Sequence, residues 1–293
     1  MMELLDPIVL TQFAVGGILA GALYALLACG LNLVFGVMKV INLAHAELML
    51  LGSFLTWLLF TTFEIHPLVA LPFIMVVLFF FGYGLQRVLI ERIVGTTELS
   101  SLMVTYGLAI IMMNLGLLIF SSDFKAVPAL QGAWFLWDEI IISIPRGVAG
   151  IVALLVTLSV YLFLEKARIG KAIRAVAEHA DVALICGIDV VKIRMITFGL
   201  SAAMAGAAGV MLSMIYSFSP ETGPDFILKC FAIIIIGGMG NFAGAFFGGL
   251  LLGVVEAFTA GFISTQWAEG VAYMLLVIIL LVRPTGLRGK AHA

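Results

Sequence analysis

Eight long apolar runs, separated by short polar joints, dictate what this chain can become. They fall near residues 8–35, 43–62, 67–90, 99–120, 147–164, 193–216, 242–261 and 264–282. A helix needs about 20 apolar residues to cross the hydrocarbon core of a bilayer. Lipid offers no partner for backbone polar groups, so such runs cross as helices. A ninth run, 226–236, is too short to cross alone. Only 11% of the residues are charged, against roughly a quarter in soluble domains. The expectation is an all-α polytopic membrane protein. It forms a single transmembrane domain over residues 1–293, with about eight transmembrane helices plus a short broken segment, in a bacterial or archaeal cytoplasmic (inner) membrane.

The basic residues set the orientation, because cytoplasmic joints are rich in Lys and Arg. Lys39, Arg87, Arg92, the six basic residues of 165–194, Arg283, Arg288 and Lys290 fall on one side if the N-terminus is outside. That places twelve of the fifteen Lys and Arg in the cytoplasm and leaves Lys125, Arg146 and Lys229 outside or at depth. It also demands an odd number of crossings, so the short run must make one. The first residues carry Glu3 and Asp6 and no basic group. The opening apolar run therefore reads as a retained span and not as a signal peptide. The outer stretch 121–146 carries Trp134 and Trp137, suited to an interface or to a docking partner. Cys29, Cys186 and Cys230 match no metal or redox spacing.

Residues 165–194 are the one polar island. Ile173, Val176, Ala177, Ala180 and Leu184 recur at helical spacing along one face, and Lys171, Arg174, Glu178 and Asp181 lie opposite. Gly187 follows, where a helix end favours a residue free to take positive φ. The pattern predicts an amphipathic cytoplasmic helix. It either lies on the membrane surface or docks a partner.

Two apolar runs are interrupted. The first interruption, 35–52, carries Gly36, Asn42, His45 and Glu47; the second, 235–249, carries Gly237, Gly238 and Asn241. Residues 42–46 line up weakly with 241–245. Paired interruptions in two halves of a membrane protein point to a pathway between repeats. Backbone that leaves the helix at membrane depth must be buried in protein or face water. Asn32, Asn114 and Glu256 are the remaining polar residues within spans, with helix–helix bonding as the plainer role for an isolated Asn. Close to one another on a face, Ala202, Gly206 and Gly209 favour tight packing, within the subunit or between subunits. No Walker A sequence, HExxH or GxSxG is present, so the chain offers no nucleotide pocket and no foothold for enzyme chemistry.

Five stretches carry a resemblance. Asn42-Leu-Ala-His-Ala-Glu47 resembles the N-F-A-H-G-E signature of the permeases of branched-chain amino acid ABC transporters. Asp181-Val-Ala183 with Gly187 is similar to a degenerate E-A-A-x-x-x-G loop. Lys229-Cys-Phe-Ala, followed by Gly237-Gly-Met-Gly-Asn241, resembles K-A-F-A with G-G-x-G-S. Gly248 to Glu256 resembles G-G-x-x-x-G-x-x-E, and Arg283-Pro-Thr-Gly-Leu287 resembles R-P-x-G-L. The matches are in order and span the chain, which looks like the shorter, H-type permease of a Liv-type system. Ala46, Asn241 and Cys230 depart from the pattern.

The resemblance implies an ABC importer permease fold. It also implies a second related permease, cytoplasmic ATPase subunits, a periplasmic or lipid-anchored binding protein and surrounding membrane lipid. No nucleic acid and no cofactor enter. The stretch 165–194 becomes the cytoplasmic coupling loop, with its helix near 171–186. The coupling residues are then Lys171, Ile173, Arg174, Val176, Ala177, Glu178, Ala180, Asp181, Ala183, Leu184 and Gly187. The expected pathway residues are Asn32, Asn42, His45, Glu47, Gly237, Gly238, Asn241 and Glu256. The alternative is an ion-coupled secondary transporter in which Glu47 and Glu256 carry protons.

Overall fold

The computed structural model describes residues 7–136 and 140–282. Trp137 and the stretch carrying Arg283, Arg288 and Lys290 lie outside the described residues. In chain order the elements are α1 (Pro7–Met38), α2 (His45–Phe63), α3 (Pro67–Val88), α4 (Glu98–Phe120), β1 (Ala133–Leu136), β2 (Ile140–Ser143), α5 (Ile144–Lys166), α6 (Arg168–Glu178), α7 (Ala180–Ile185), α8 (Val190–Ile215), α9 (Gly223–Gly237), α10 (Phe242–Phe262) and α11 (Thr265–Val282). The strands pair as one antiparallel hairpin. Among the described residues, seven helices are long and apolar enough to span a membrane: α1 to α5, α8 and α10. The eighth apolar run is α11, with 18 residues. The short ninth run is α9, with 15.

The centre of the bundle is α1 and α8, both buried along most of their length. In lipid there is little hydrophobic drive between helices, so association relies on close backbone approach. The sequence provides for it. Gly17 and Gly21 of α1 face Gly253 and Gly249 of α10. A Cβ on Gly21 would lie 2.8 Å from the Gly249 carbonyl, and one on Gly17 would lie 2.7 Å from the Val254 Cα. The small-residue face of α8 packs inside the subunit. Gly206 lies against Gly52 of α2, Gly209 against Met49 and Ser53, and Ala202 against Gly82 of α3. By contrast, α3 and α4 present Val69, Phe80, Met103 and Leu118 outward.

One end of the bundle gathers the end of α1, the 89–97 joint, α6 and the start of α8. Lys39, Val94, Glu178 and Arg194 line a crevice there. Arg194 pairs with Glu91 at 3.1 Å, and Glu91 also accepts from Gln86 at 2.9 Å. The basic residues make this the cytoplasmic end. The hairpin lies at the other end with the start of α11, where Thr265, Ile141 and Ser143 line one cavity. At 1.5 Å per residue, α11 runs about 27 Å back toward the cytoplasmic side.

The polar island differs from the sequence expectation in two ways. It is not one helix over 171–186. His179 adopts extended backbone, φ −150° and ψ 96°, and separates α6 from α7. Nor does the apolar stripe look outward. Ile173 and Val176 are 1% and 2% exposed and belong to the core. Ala177 and Ala180 line the crevice beside Val37. Apolar periodicity fixes a buried face but not what buries it, and here α6 is folded onto its own bundle. The outward apolar residues are Val182, Leu184 and Ile185 of α7, with Ala183 turned in. Gly187 takes φ +82°, and its amide donates to the Leu184 carbonyl at 3.0 Å while Ile188 N donates to Ala183 at 3.0 Å. That left-handed residue ends α7 as a glycine allows.

Candidate functional site

The first interruption dips into the bundle. Leaving α1 at Lys39 (φ 54°), the chain runs through residues 39–44 and starts α2 at His45. The His45 ring Nε2 donates to the Leu27 carbonyl at 3.0 Å. Leu27 lies eleven residues before the end of α1, so α2 begins about 17 Å above the cytoplasmic end. The non-helical backbone is satisfied locally, as it must be at that depth. Thr105 Oγ1 of α4 donates to the Ile41 carbonyl at 2.8 Å and accepts from Leu43 N at 3.3 Å. Asn42 Oδ1 accepts from Ala44 N at 3.1 Å.

A second interruption enters from the opposite end, at residues 216–222. Sequence reading placed it at 235–249; the structure places it here. Phe218 and Lys125 exchange backbone hydrogen bonds at 2.9 and 2.8 Å, and Val127 N donates to Ser213 at 2.9 Å. Beside that bridge, the Asp123 carboxyl is held below the usual carboxylate range by the Ser121 hydroxyl and by Lys125. The chain then turns at Pro220–Thr222 and starts α9 at Gly223. Glu47, in the first turn of α2, packs directly on Gly223. Two partial helices, α2 and α9, thus begin beside each other inside the bundle and run to opposite ends. The signal in sequence was the Ser219-Pro-Glu-Thr-Gly-Pro-Asp225 turn cluster, which does not say how deep the turn lies.

Residues 235–249 do leave the helix, but at the cytoplasmic turn between α9 and α10. Gly36, near the end of α1, sits beside Gly240. Asn32 clamps this turn: its Oδ1 accepts from Gly240 N at 2.7 Å and its Nδ2 donates to the Asn241 carbonyl at 2.7 Å. Gly237 packs on Gly244, and Asn241 Oδ1 caps α10 by accepting from Gly244 N at 3.0 Å. Asn114 bonds only within its own helix, to Ile110. The expected pathway residues therefore form three groups. Asn42, His45 and Glu47 lie at the α2 start; Asn32, Gly237, Gly238 and Asn241 at the cytoplasmic turn; Glu256 lies apart. Replacing Asn32 with Leu removes both turn contacts and strands two backbone groups, a loss of about 1–3 kcal/mol. The expected result is a lower melting temperature of the purified protein; an unchanged one would rule out the clamp.

Glu256 of α10 pairs with Lys229 of α9 at 3.3 Å. Lys229 also stands over the Tyr24 and Phe226 rings, 5.3 and 5.9 Å from their centroids. Both charged residues are buried and border a cavity of about 610 Å³ that lies toward the outer end. The cavity takes walls from α1, the hairpin, α10 and the start of α11. Sequence reading singled out Glu256 but not its partner. No motif spacing links residues 229 and 256; only the packing of α9 on α10 does. At the cytoplasmic end, α7 offers the exposed apolar set Val182, Leu184 and Ile185. Large apolar side chains grouped on a surface that meets water mark a contact site.

Comparison with known proteins covers the whole bundle. The family described as branched-chain amino acid transport system / permease component matches residues 13–280. The high-affinity branched-chain amino acid transport system permease protein BraD of Pseudomonas aeruginosa is 34% identical, over 95% of each chain. The corresponding LivH protein of Escherichia coli K12 is 32% identical over 94% of each. A weaker likeness, 26% over 46% of this chain and 45% of the relative, is to the probable branched-chain amino acid transport permease protein LivM of Methanocaldococcus jannaschii. No solved structure matches.

Proposed function

We infer the function from one premise: the chain belongs to the branched-chain amino acid transport system permease family. It is a multi-pass membrane permease subunit of an ATP-driven importer, and its cargo is a branched-chain amino acid. It forms half of the translocation pathway, the other half coming from a second, related permease. The partial likeness to a LivM-type chain supports a partner built on the same plan. The outward apolar faces of α3 and α4 are available to lipid and to that partner. A binding protein delivers the amino acid to the outer end.

The single observation that carries the ATP-driven reading is α7. A chain without a nucleotide motif needs ATP to act from another subunit, and α7 presents the apolar knob for it on the cytoplasmic end. ATPase subunits grip Val182, Leu184 and Ile185, with Lys171, Arg174, Glu178 and Asp181 as a charged surround. Ile173 and Val176 tie α6 to the bundle, so motion of α7 is passed to α1 and α8. From there it reaches the meeting point of α2 and α9, whose half-length helices and extended entries suit rigid-body rocking. Asn42, His45 and Glu47 border the path at that point. Asn32, Gly237, Gly238 and Asn241 hold its cytoplasmic turn, and Glu256 belongs to its outer approach.

Uptake by proteoliposomes containing both permeases and the ATPase subunits, with binding protein supplied outside, tests this. ATP inside should drive leucine accumulation, and a proton gradient alone should not. Accumulation on a proton gradient without ATP would overturn the importer reading in favour of ion coupling.

A further inference from the structure

We propose that the outer cavity is a binding site for the free zwitterionic amino acid, with Lys229 holding its carboxylate and Glu256 its ammonium group. This rests on the importer function proposed above and adds to it a place and a recognition chemistry.

The cavity has the dimensions of a small-molecule site, which run roughly 300–1,000 Å³; its volume is about 610 Å³. Its walls are apolar where α1 and the hairpin meet, at Phe13, Leu19, Ile141 and Ile142. Its charges are concentrated in the Lys229–Glu256 pair, at 8% and 9% exposure. Arg146 and Thr265 are exposed at the margin. An apolar wall beside one positive and one negative group is complementary to a molecule with an aliphatic side chain and both charges on one end.

The ion pair is set up for exchange. Glu256 Oε1 lies 3.3 Å from Lys229 Nζ, yet that buried oxygen has no hydrogen bond. Charged residues within membrane spans are costly and serve function by default. A zwitterion entering between them replaces one ion pair by two, so neither buried charge is stranded. The aromatic rings of Tyr24 and Phe226 keep the Lys229 ammonium supported while the pair opens. A ligand with only one charge cannot do this. It would satisfy Lys229 or Glu256 and leave the other without its partner, which is the costly outcome for a buried pair.

The test uses the assembled complex of permeases and ATPase subunits, without binding protein. Cys186 is exposed, whereas Cys29 and Cys230 are buried. A Cys186→Ser, Thr265→Cys chain therefore reports the cavity margin through its rate of labelling by a membrane-impermeant maleimide. Leucine should slow labelling. Isopentylamine and 4-methylpentanoate, which each keep one of the two charges, should protect on the order of 100-fold less effectively. Adding Glu256→Gln should cut leucine protection and make 4-methylpentanoate its equal. Adding Lys229→Gln should do the same for isopentylamine. That crossover is not produced by a pair that only holds α9 to α10, and the measurement on the unaltered pair stands if either variant fails to assemble. Labelling indifferent to leucine up to its solubility, in a complex that still imports leucine with ATP and binding protein, would overturn the site and leave the importer standing. A complex that imports no leucine would instead remove the functional reading and the site with it.

Discussion

Ile185→Asp is expected to strip the ATPase subunits from the permease while leaving the membrane bundle folded. Ile185 is 85% exposed and Leu184 62%, on a helix of only six residues. Burying a side chain of this size in a partner groove is worth about 1.5–3 kcal/mol. A carboxylate there forfeits that gain and adds the cost of desolvating a charge. Affinity should therefore fall on the order of 100-fold or more. The measurements are co-purification of the ATPase and stimulation of ATP hydrolysis by loaded binding protein, with the melting temperature of the permease as control. Undiminished co-purification would show that α7 is not the contact. The same change at Ile173 should behave differently. Its side chain is buried in the bundle, so Ile173→Asp should damage the permease itself.

Gly209→Leu should prevent a stable bundle. A Cβ at Gly209 would fall on the Met49 carbonyl and 2.8 Å from the Ser53 amide, both backbone groups of α2. Ser53 Oγ also donates to the Gly209 carbonyl at 2.9 Å, so the helices cannot separate without losing that bond. Overpacking commonly costs about 1–3 kcal/mol. Here the obstacle is backbone, which cannot rotate aside, and the cost should reach at least the upper end. The expected outcome is low yield from membranes and a melting temperature well below the parent protein. Gly107→Ala on α4, where an added Cβ meets nothing within 4 Å, should change neither. A Gly209→Leu protein as stable as the parent would mean that α2 and α8 do not pack this closely.

The spans were legible because the bilayer imposes their length, and seven of the eight runs return as spanning helices, with α11 as the eighth. The small-residue face of α8 was legible as packing for the same reason: nothing else lets helices approach in lipid. Depth was not legible. Residues 39–44 and 216–222 both read as joints, yet both are drawn inside, because Thr105 and the 125–127 strand supply partners from elsewhere in the chain. The facing glycines of α1 and α10 were present in sequence as spacing, but which helix meets which is decided by the whole arrangement. Amphipathicity was misleading at α6. Ile173 and Val176 mark a face that needs covering, and the chain covers it itself, so the face open to a partner shifts to α7, beyond the break at His179.

The juxtaposed starts of α2 and α9 have an electrical meaning. A helix N-terminus carries roughly half a positive charge, and two such ends meet where the side chain of Glu47 is packed. Two half-charges and one carboxylate nearly cancel, so the middle of the bundle is close to neutral although it is built from charged parts. An importer works across a membrane that holds a voltage, and a passage with a negative centre would invite cations to leak down it. Near-neutrality at the meeting point, with positive helix ends lining it, discourages that leak while the two extended entries remain open to a molecule whose own charges cancel.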